Sequence, residues 1–227
     1  LQVTKIKTPW PTKDAMTQIY DKSLWGGDTY DFYSGEGSHD TDIIAPYIDV
    51  ITTFLSEKYN LLVVCDLGCG DFNVGQHLVN YTKEYKAIDV VAPLIERNKR
   101  HYKASNLEFL NLDIVHDTLP AADCVILRQV LQHLSNNEVS QVLKKLNKYR
   151  YIILTEHIPT GNFTPNKDII SGQGTRLKHQ SGVNILSAPF LLNIAKAEVL
   201  NEFVMDDNKS KIVTLLFDLQ AHDTAKI

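Results

Sequence analysis

A chain of 227 residues with 44% hydrophobic and 22% charged side chains has the size and balance of one globular domain with an ample core. Its 23 basic and 27 acidic residues leave a net charge of −4, which excludes a global electrostatic case for nucleic acid as a partner. No run of about 18 apolar residues offers a membrane span, and no signal peptide is expected ahead of the fold. Cys65, Cys69 and Cys124 lack metal-ligand spacing and fall in or beside predicted core strands. They read as buried reduced thiols, which points to a cytoplasmic setting and no metal site.

Residues 1–40 are polar, aromatic and glycine-rich, and Gly26, Gly27, Gly35 and Gly37 argue against a regular element. Trp25, Tyr30, Phe32 and Tyr33 are more apolar surface than a free tail exposes, so a loop pinned by aromatic anchors is one reading. From residue 42 a helix is predicted, with Ile43, Ile44, Tyr47, Ile48, Ile51, Phe54 and Leu55 on one stripe and Pro46 in its first turn. Residues 61–64 read as a strand buried on both faces. It runs through Asp66 into Gly68-Cys69-Gly70 and a short helix over 73–81. A second strand over 85–90, a helix opened by Pro93, a third strand over 107–112 ending at Asp113, and a fourth over 122–127 follow. The fourth delivers Arg128 and Gln129 to the carboxyl edge. A turn with His133 precedes Ser135-Asn136-Asn137-Glu138, a capping box for a helix with Val139, Val142, Leu143 and Leu146 inward. The fifth strand, 151–155, leads to Glu156 and His157. Residues 158–188 show no sustained period, as in functional or disordered insertions. A short helix near 189–196 and strands over 198–205 and 211–219, joined at Asp206-Asp207-Asn208, complete the chain.

The glycine turn organises the rest. A strand, a glycine turn and a helix start let a ligand approach the backbone and meet unpaired N–H groups. A glycine pair alone is a weak signal. Asp89, nineteen residues after Gly70 at the tip of the next strand, strengthens it, because an acidic residue there is placed for a ribose diol. The dinucleotide fingerprint needs glycine at position 73, where Asn73 stands, which disfavours a nicotinamide oxidoreductase. In an open α/β sheet the ligand lies beyond the carboxyl ends of the strands. That rule selects Asp66, Gly68, Asp89, Asp113, Arg128 and His157.

The stretch DLGCGDF, Asp66 to Phe72, resembles motif I of the class I S-adenosylmethionine-dependent methyltransferases, although Phe72 stands where that family usually has a further glycine. The WGG and SGEGS segments, the DFN ending and the SGVNILSAPF insert are similar to a bacterial subfamily that accompanies surface-glycan or nucleotide-sugar pathways. The resemblance covers residues 41–219. It implies an α/β fold, a Rossmann-like seven-stranded methyltransferase sheet in the order 3-2-1-4-5-7-6 with helices on both faces. Residues 1–40 would be a lid on a methyltransferase domain over 41–227, with Trp25, Tyr33, Glu36 and Arg176 as its substrate or lid residues. Carried over, the family's roles put Asp66, Gly68, Cys69 and Gly70 around the methionine part of S-adenosylmethionine and Asp89 on its ribose. Val90, Asp113 and Ile114 fall to the adenine, and Arg128 and Gln129 to the methionine amino group. A turn cap for Asp113 and a structural ion pair for Arg128 remain alternatives. The implied activity is methyl transfer to oxygen of a small polar acceptor, a sugar or glycan precursor. His133, in VLQHLS, and His157 are the candidate bases, against a histidine merely bonded in a helix start. A nucleic-acid methyltransferase is disfavoured by charge and by the lack of an Asn/Asp-Pro-Pro-aromatic motif after strand four. A catalytically silent cofactor binder or scaffold is the alternative. The oligomeric state is not legible.

Overall fold

Seven strands form one sheet in the order β3-β2-β1-β4-β5-β7-β6. The structure is a computed structural model and describes residues 10–27 and 31–220, so Tyr30 lies outside the described residues. Strands β1 (Val63–Leu67), β2 (Glu84–Asp89), β3 (Leu107–Asn111), β4 (Cys124–Arg128) and β5 (Tyr151–Pro159) run parallel. β7 (Ser210–Asp218) lies antiparallel between β5 and β6 (Lys196–Val204). This is the order expected from the sequence.

The two-residue period of the strands divides the core into two layers. Cys65, Leu67, Val125, Leu127, Ile152 and Leu154 cluster with Val139, Val142, Leu143 and Leu146 of α4 (Asn136–Leu146). Val64, Ile126 and Ile153 cluster with Ile44, Tyr47, Ile51, Phe54 and Leu55 of α2 (Thr41–Glu57) and with Ile95 of α3 (Ala92–His101). Burial on both faces is why the central strands read as apolar runs rather than alternations. Side chains cap the starts of α2 and α4. Asp40 accepts from Asp42 N at 2.9 Å ahead of α2, and Ser135 and Glu138 form the capping box of α4.

Four local expectations are corrected. Residues 12–21, read as irregular, form helix α1 (Thr12–Asp21), which starts just after Pro11 and buries Ile19. Pro46 is the sixth residue of α2, not in its first turn; it sits on the exposed face, where the carbonyl it leaves unpaired can meet water. No α-helix follows the glycine turn. Gly75–His77 and Val79–Tyr81 are separate 3₁₀ turns, built from glycine, asparagine and β-branched residues that favour helix poorly. No helix spans 189–196 either: Leu191 is left-handed at φ 48°, and Leu192 and Ile194 then pack alternately on the core and lead into β6.

Candidate active site

The carboxyl edge of β1 passes into a turn pinned to β2, with Gly68 N and Cys69 N donating to Ile88 O at 2.8 and 2.9 Å. At the tip of β2, buried Asp89 accepts from Gly70 N at 3.1 Å through Oδ2 and from Val91 N at 3.0 Å through Oδ1. A carboxylate offers about four lone-pair sites, so two remain for a diol. Burial raises the Asp89 pKa, against the pull of those N–H groups. Asp66, also buried, accepts from Tyr85 Oη at 2.9 Å. Burial pushes its pKa up to about 7; Tyr85 and Arg128 oppose the rise and Asp89 adds to it. At the end of β4 the Arg128 guanidinium lies over the Tyr47 ring, 4.9 Å from its centroid. Burial lowers the Arg128 pKa, with Tyr47, Asp66 and Asp71 acting the other way. Arg128 Nε, Gln129 Nε2 and Tyr47 Oη are buried without a partner.

These groups border a cavity of about 390 Å³, which also takes in Val90 and residues 112–115. Its size suits a cofactor-sized molecule. Asp113 caps the turn that follows β3: Oδ1 accepts from Val115 N at 2.8 Å and Oδ2 contacts His116 Nδ1 at 2.9 Å. Burial would raise its pKa, but His116 and these N–H groups outweigh it and hold the carboxyl below its usual range. Ile114 is buried beside it.

The N-terminal segment forms one wall of the cavity. Ser34 and Asp71 bond reciprocally, Ser34 N to Asp71 Oδ2 at 2.7 Å and Asp71 N to Ser34 Oγ at 2.8 Å. His39 Nε2 reaches the same carboxylate at 2.6 Å. Asn73 Nδ2 donates to Ser38 O at 2.8 Å, while Arg128 donates to Ser38 Oγ at 3.1 Å and to Gly37 O. Arg97 ties Asp31 to the outside of the turn. Gly70 lies directly beneath this strap at φ 55°, and a Cβ there would run into Ser34 Oγ. Trp25 and Glu36 border the cavity. Tyr33 instead stacks on His39, with ring centroids 4.3 Å apart. Asp71 and Ser34 were missed in the sequence. The one signal was that Asp71 falls inside the motif stretch.

The far end is built on residues 131–134. His133 borders the cavity under Trp25, with ring centroids 5.2 Å apart. Its Nδ1 lies 3.2 Å from Gly172 O, and its Nε2 lies 3.3 Å from Gln132 Nε2. Burial lowers its pKa to about 4, and the carbonyls of residues 172–174 offset only part of that. The imidazole is therefore neutral at pH 7. Two buried ionisable residues hold this turn from opposite ends. Glu156 Oε1 accepts from Leu131 N at 3.1 Å; Arg176 donates to Leu131 O at 3.1 Å, Gln132 O at 3.4 Å and Leu134 O at 2.8 Å. Arg176, expected at the substrate, is 1% exposed and spends its guanidinium on this turn. His157, expected at the cavity edge, is inside β5 because that strand runs on to Pro159. It pairs with Ile212, and its Nε2 contacts Ser210 Oγ at 2.8 Å. Gln132, missed in the sequence, borders the cavity in its place.

Among the described residues no cluster of three or more His, Cys, Asp or Glu side chains is placed to hold a metal ion, and no helix is long and apolar enough to cross a membrane. The cavity does fit S-adenosylmethionine. The free lone pairs of Asp89 suit its ribose, the unpartnered Gln129 Nε2 and Tyr47 Oη suit its methionine carboxylate, and Asp66 suits its ammonium.

A family model described as a methyltransferase domain matches residues 64–149. No curated protein matches the chain in sequence. Among solved structures it is similar to the N-methyltransferase NodS from Bradyrhizobium japonicum WM9 in complex with S-adenosyl-L-homocysteine, with a TM-score of 0.60 at 12% identity over 91% of this chain and 100% of that one. It is likewise similar to magnesium protoporphyrin IX methyltransferase ChlM from Synechocystis PCC 6803 with bound S-adenosylmethionine, at 0.58 and 17% over 92% and 99%. A third similar structure is the N-terminal domain of EvdMO1 in the presence of S-adenosylhomocysteine and D-fucose, at 0.57 and 14% over 86% and 88%. At these identities the likeness is one of fold. With a methyltransferase-domain model matched over residues 64–149 and this sheet order, the chain has the fold of the class I S-adenosylmethionine-dependent methyltransferases.

Proposed function

We propose that the chain transfers a methyl group from S-adenosylmethionine to an oxygen of a small polar acceptor, a sugar or glycan precursor, with His133 as the base. The observation that carries this reading is a neutral histidine bordering the cavity at the end that Trp25 and residues of the 158–188 insert line. S-adenosylmethionine supplies an activated methyl carbon whose transfer leaves a neutral thioether. Asp89 would hold the ribose, with Val90, Asp113 and Ile114 around the adenine. Asp66, Gly68, Cys69, Gly70, Arg128 and Gln129 would surround the methionine end. Fixing both partners supplies much of the acceleration, because effective molarities of about 10⁵–10⁸ M are reached by well-oriented groups. An alcohol must also lose its proton, and His133 Nε2 would take it by exchanging its contact with the Gln132 amide for the acceptor hydroxyl. Thr12, Gln132, Gln173 and Thr175 beside the indole of Trp25 suit a hydroxylated ring with one apolar face. The EvdMO1 domain, crystallised in the presence of D-fucose, supports a sugar-sized acceptor.

The test is release of S-adenosylhomocysteine from S-adenosylmethionine with a panel of hydroxylated acceptors that includes D-fucose, using wild type and His133→Ala. His133→Ala should lower turnover by about 10²–10⁴-fold and leave S-adenosylhomocysteine affinity nearly intact. Binding without methyl transfer to any acceptor would instead make the chain a silent cofactor binder. Full turnover by His133→Ala would remove the histidine from the chemistry.

A further inference from the structure

Gln132 precedes His133 and is only 6% exposed, and its carboxamide has a single orientation open to it. The backbone N–H of His157 donates to Gln132 Oε1 at 3.1 Å. A backbone N–H can only donate, so the amide nitrogen is the end left facing His133 Nε2, at 3.3 Å. The other ring nitrogen is equally constrained. Gly172 O, 3.2 Å from Nδ1, can only accept, so Nδ1 carries the proton and Nε2 the lone pair. β5 thus orients Gln132 through its main chain, and Gln132 faces the ring nitrogen that Gly172 leaves free.

We infer that Gln132 is the positioning residue of the base: its locked amide N–H keeps His133 Nε2 an unprotonated acceptor at the cavity. This rests on the proposed role of His133. An amide N–H aimed at Nε2 opposes protonation there, since a protonated Nε2 would meet it donor to donor. The groups around the ring do not substitute for it. Trp25 covers one side, Gly172 O holds Nδ1 with the carbonyls of Gln173 and Gly174 also acting on the ring, and Glu156 accepts from Leu131 N through Oε1 while its Oε2 is without a partner. Arg176 lies on the carbonyl side of the turn, where its charge also disfavours the imidazolium.

Nitrogen-15 NMR of histidine-labelled protein, free and with S-adenosylhomocysteine, reads both tautomer and titration without turnover. His133 should be the Nδ1–H tautomer in wild type. Gln132→Leu, which removes the donor, should move its titration upward by about one pH unit. Gln132→Glu keeps the shape and an acceptor for His157 N–H but sets a carboxylate beside Nε2, and should move it upward by about 1–3 pH units. His157→Ala retains the backbone N–H and should leave His133 unmoved. An Nε2–H tautomer in wild type, or a His133 titration unchanged in both Gln132 variants, overturns the inference; so does a shift in His157→Ala as large as in Gln132→Leu. An active His133→Ala with these shifts intact would sink the proposed base and not the coupling. A lost turnover without the shifts would do the reverse.

Discussion

Phe72 carries a left-handed backbone, φ 66°, at the position where related motifs have a glycine. For a non-glycine residue that conformation costs about 1–2 kcal/mol. The ring is fully buried, edge-on to Tyr85, Tyr102 and Phe109 with centroids 5.8, 5.1 and 4.8 Å away. Removing such a ring typically costs about 3–5 kcal/mol, so burial outweighs the strain. The need for a glycine moves to Gly75, where a Cβ would meet the Phe72 ring. What looked like a departure from the motif is thus a packing solution that leaves the turn at residues 68–70 in place. Beside that turn, Asp89 receives Gly70 N–H and keeps lone pairs free, which makes it the proposed ribose ligand. Calorimetry should show S-adenosylhomocysteine binding weakened by about 1.5–3 kcal/mol in Asp89→Ala, the range for losing hydrogen bonds to a charged group. Unchanged affinity in that variant would take Asp89 out of the ribose site.

The strap of residues 31–39 owes its position to contacts between distant parts of the chain, with Asp71 at their centre. It lies across the turn at Gly70, and we propose that it acts as a lid over the cavity. Two changes in amide exchange should follow. Asp71→Ala should speed exchange across residues 31–39, and S-adenosylhomocysteine should slow it in wild type. Exchange unaffected by either would make the segment a fixed loop. These contacts also mark where sequence reading ends. Strands β1, β4 and β5 were legible because each carries an apolar run bounded by turn residues, and the α4 capping box is local by nature. The ring of Asp66, Asp89 and Arg128 was legible because strand ends define the carboxyl edge. The α1 helix was hidden by the glycines that follow it, and the 73–81 helix gave way to packing around Phe72. Arg176 and Gln132 carry no sequence signal, since their partners are the carbonyls of one turn and an amide on β5.

For the molecule as a whole, the buried acids set how stability responds to pH. Burial pushes Asp66 up to about 7 and Glu156 up to about 8, with Arg176 pulling Glu156 partly back. Unfolded, each would titrate near its ordinary value of about 4. The native state therefore holds more protons than the unfolded state between those limits, and stability falls as pH rises through them. His133 works in the opposite sense. Its native pKa of about 4 lies below the free histidine value of about 6.5, so it adds stability as pH rises between the two. The opposing contributions overlap below pH 6.5. Above it the histidine is neutral in both states and only the acids remain. Between about pH 6.5 and 8 the unfolding free energy should fall with a slope approaching 1.4 kcal/mol per pH unit for each acid still titrating. Glu156→Gln keeps the shape and an oxygen to accept from Leu131 N but cannot ionise. It should remove that acid's share of the slope across its whole window, from about pH 5 to 8, leaving Asp66 alone to titrate above pH 6.5 and Asp66 and His133 to oppose each other below it. Urea unfolding at half-unit steps from pH 5 to 9 on both proteins reads this directly. Parallel profiles above pH 7 would show that Glu156 is ionised in the folded protein throughout and that Arg176, rather than a proton, neutralises it beneath the His133 turn.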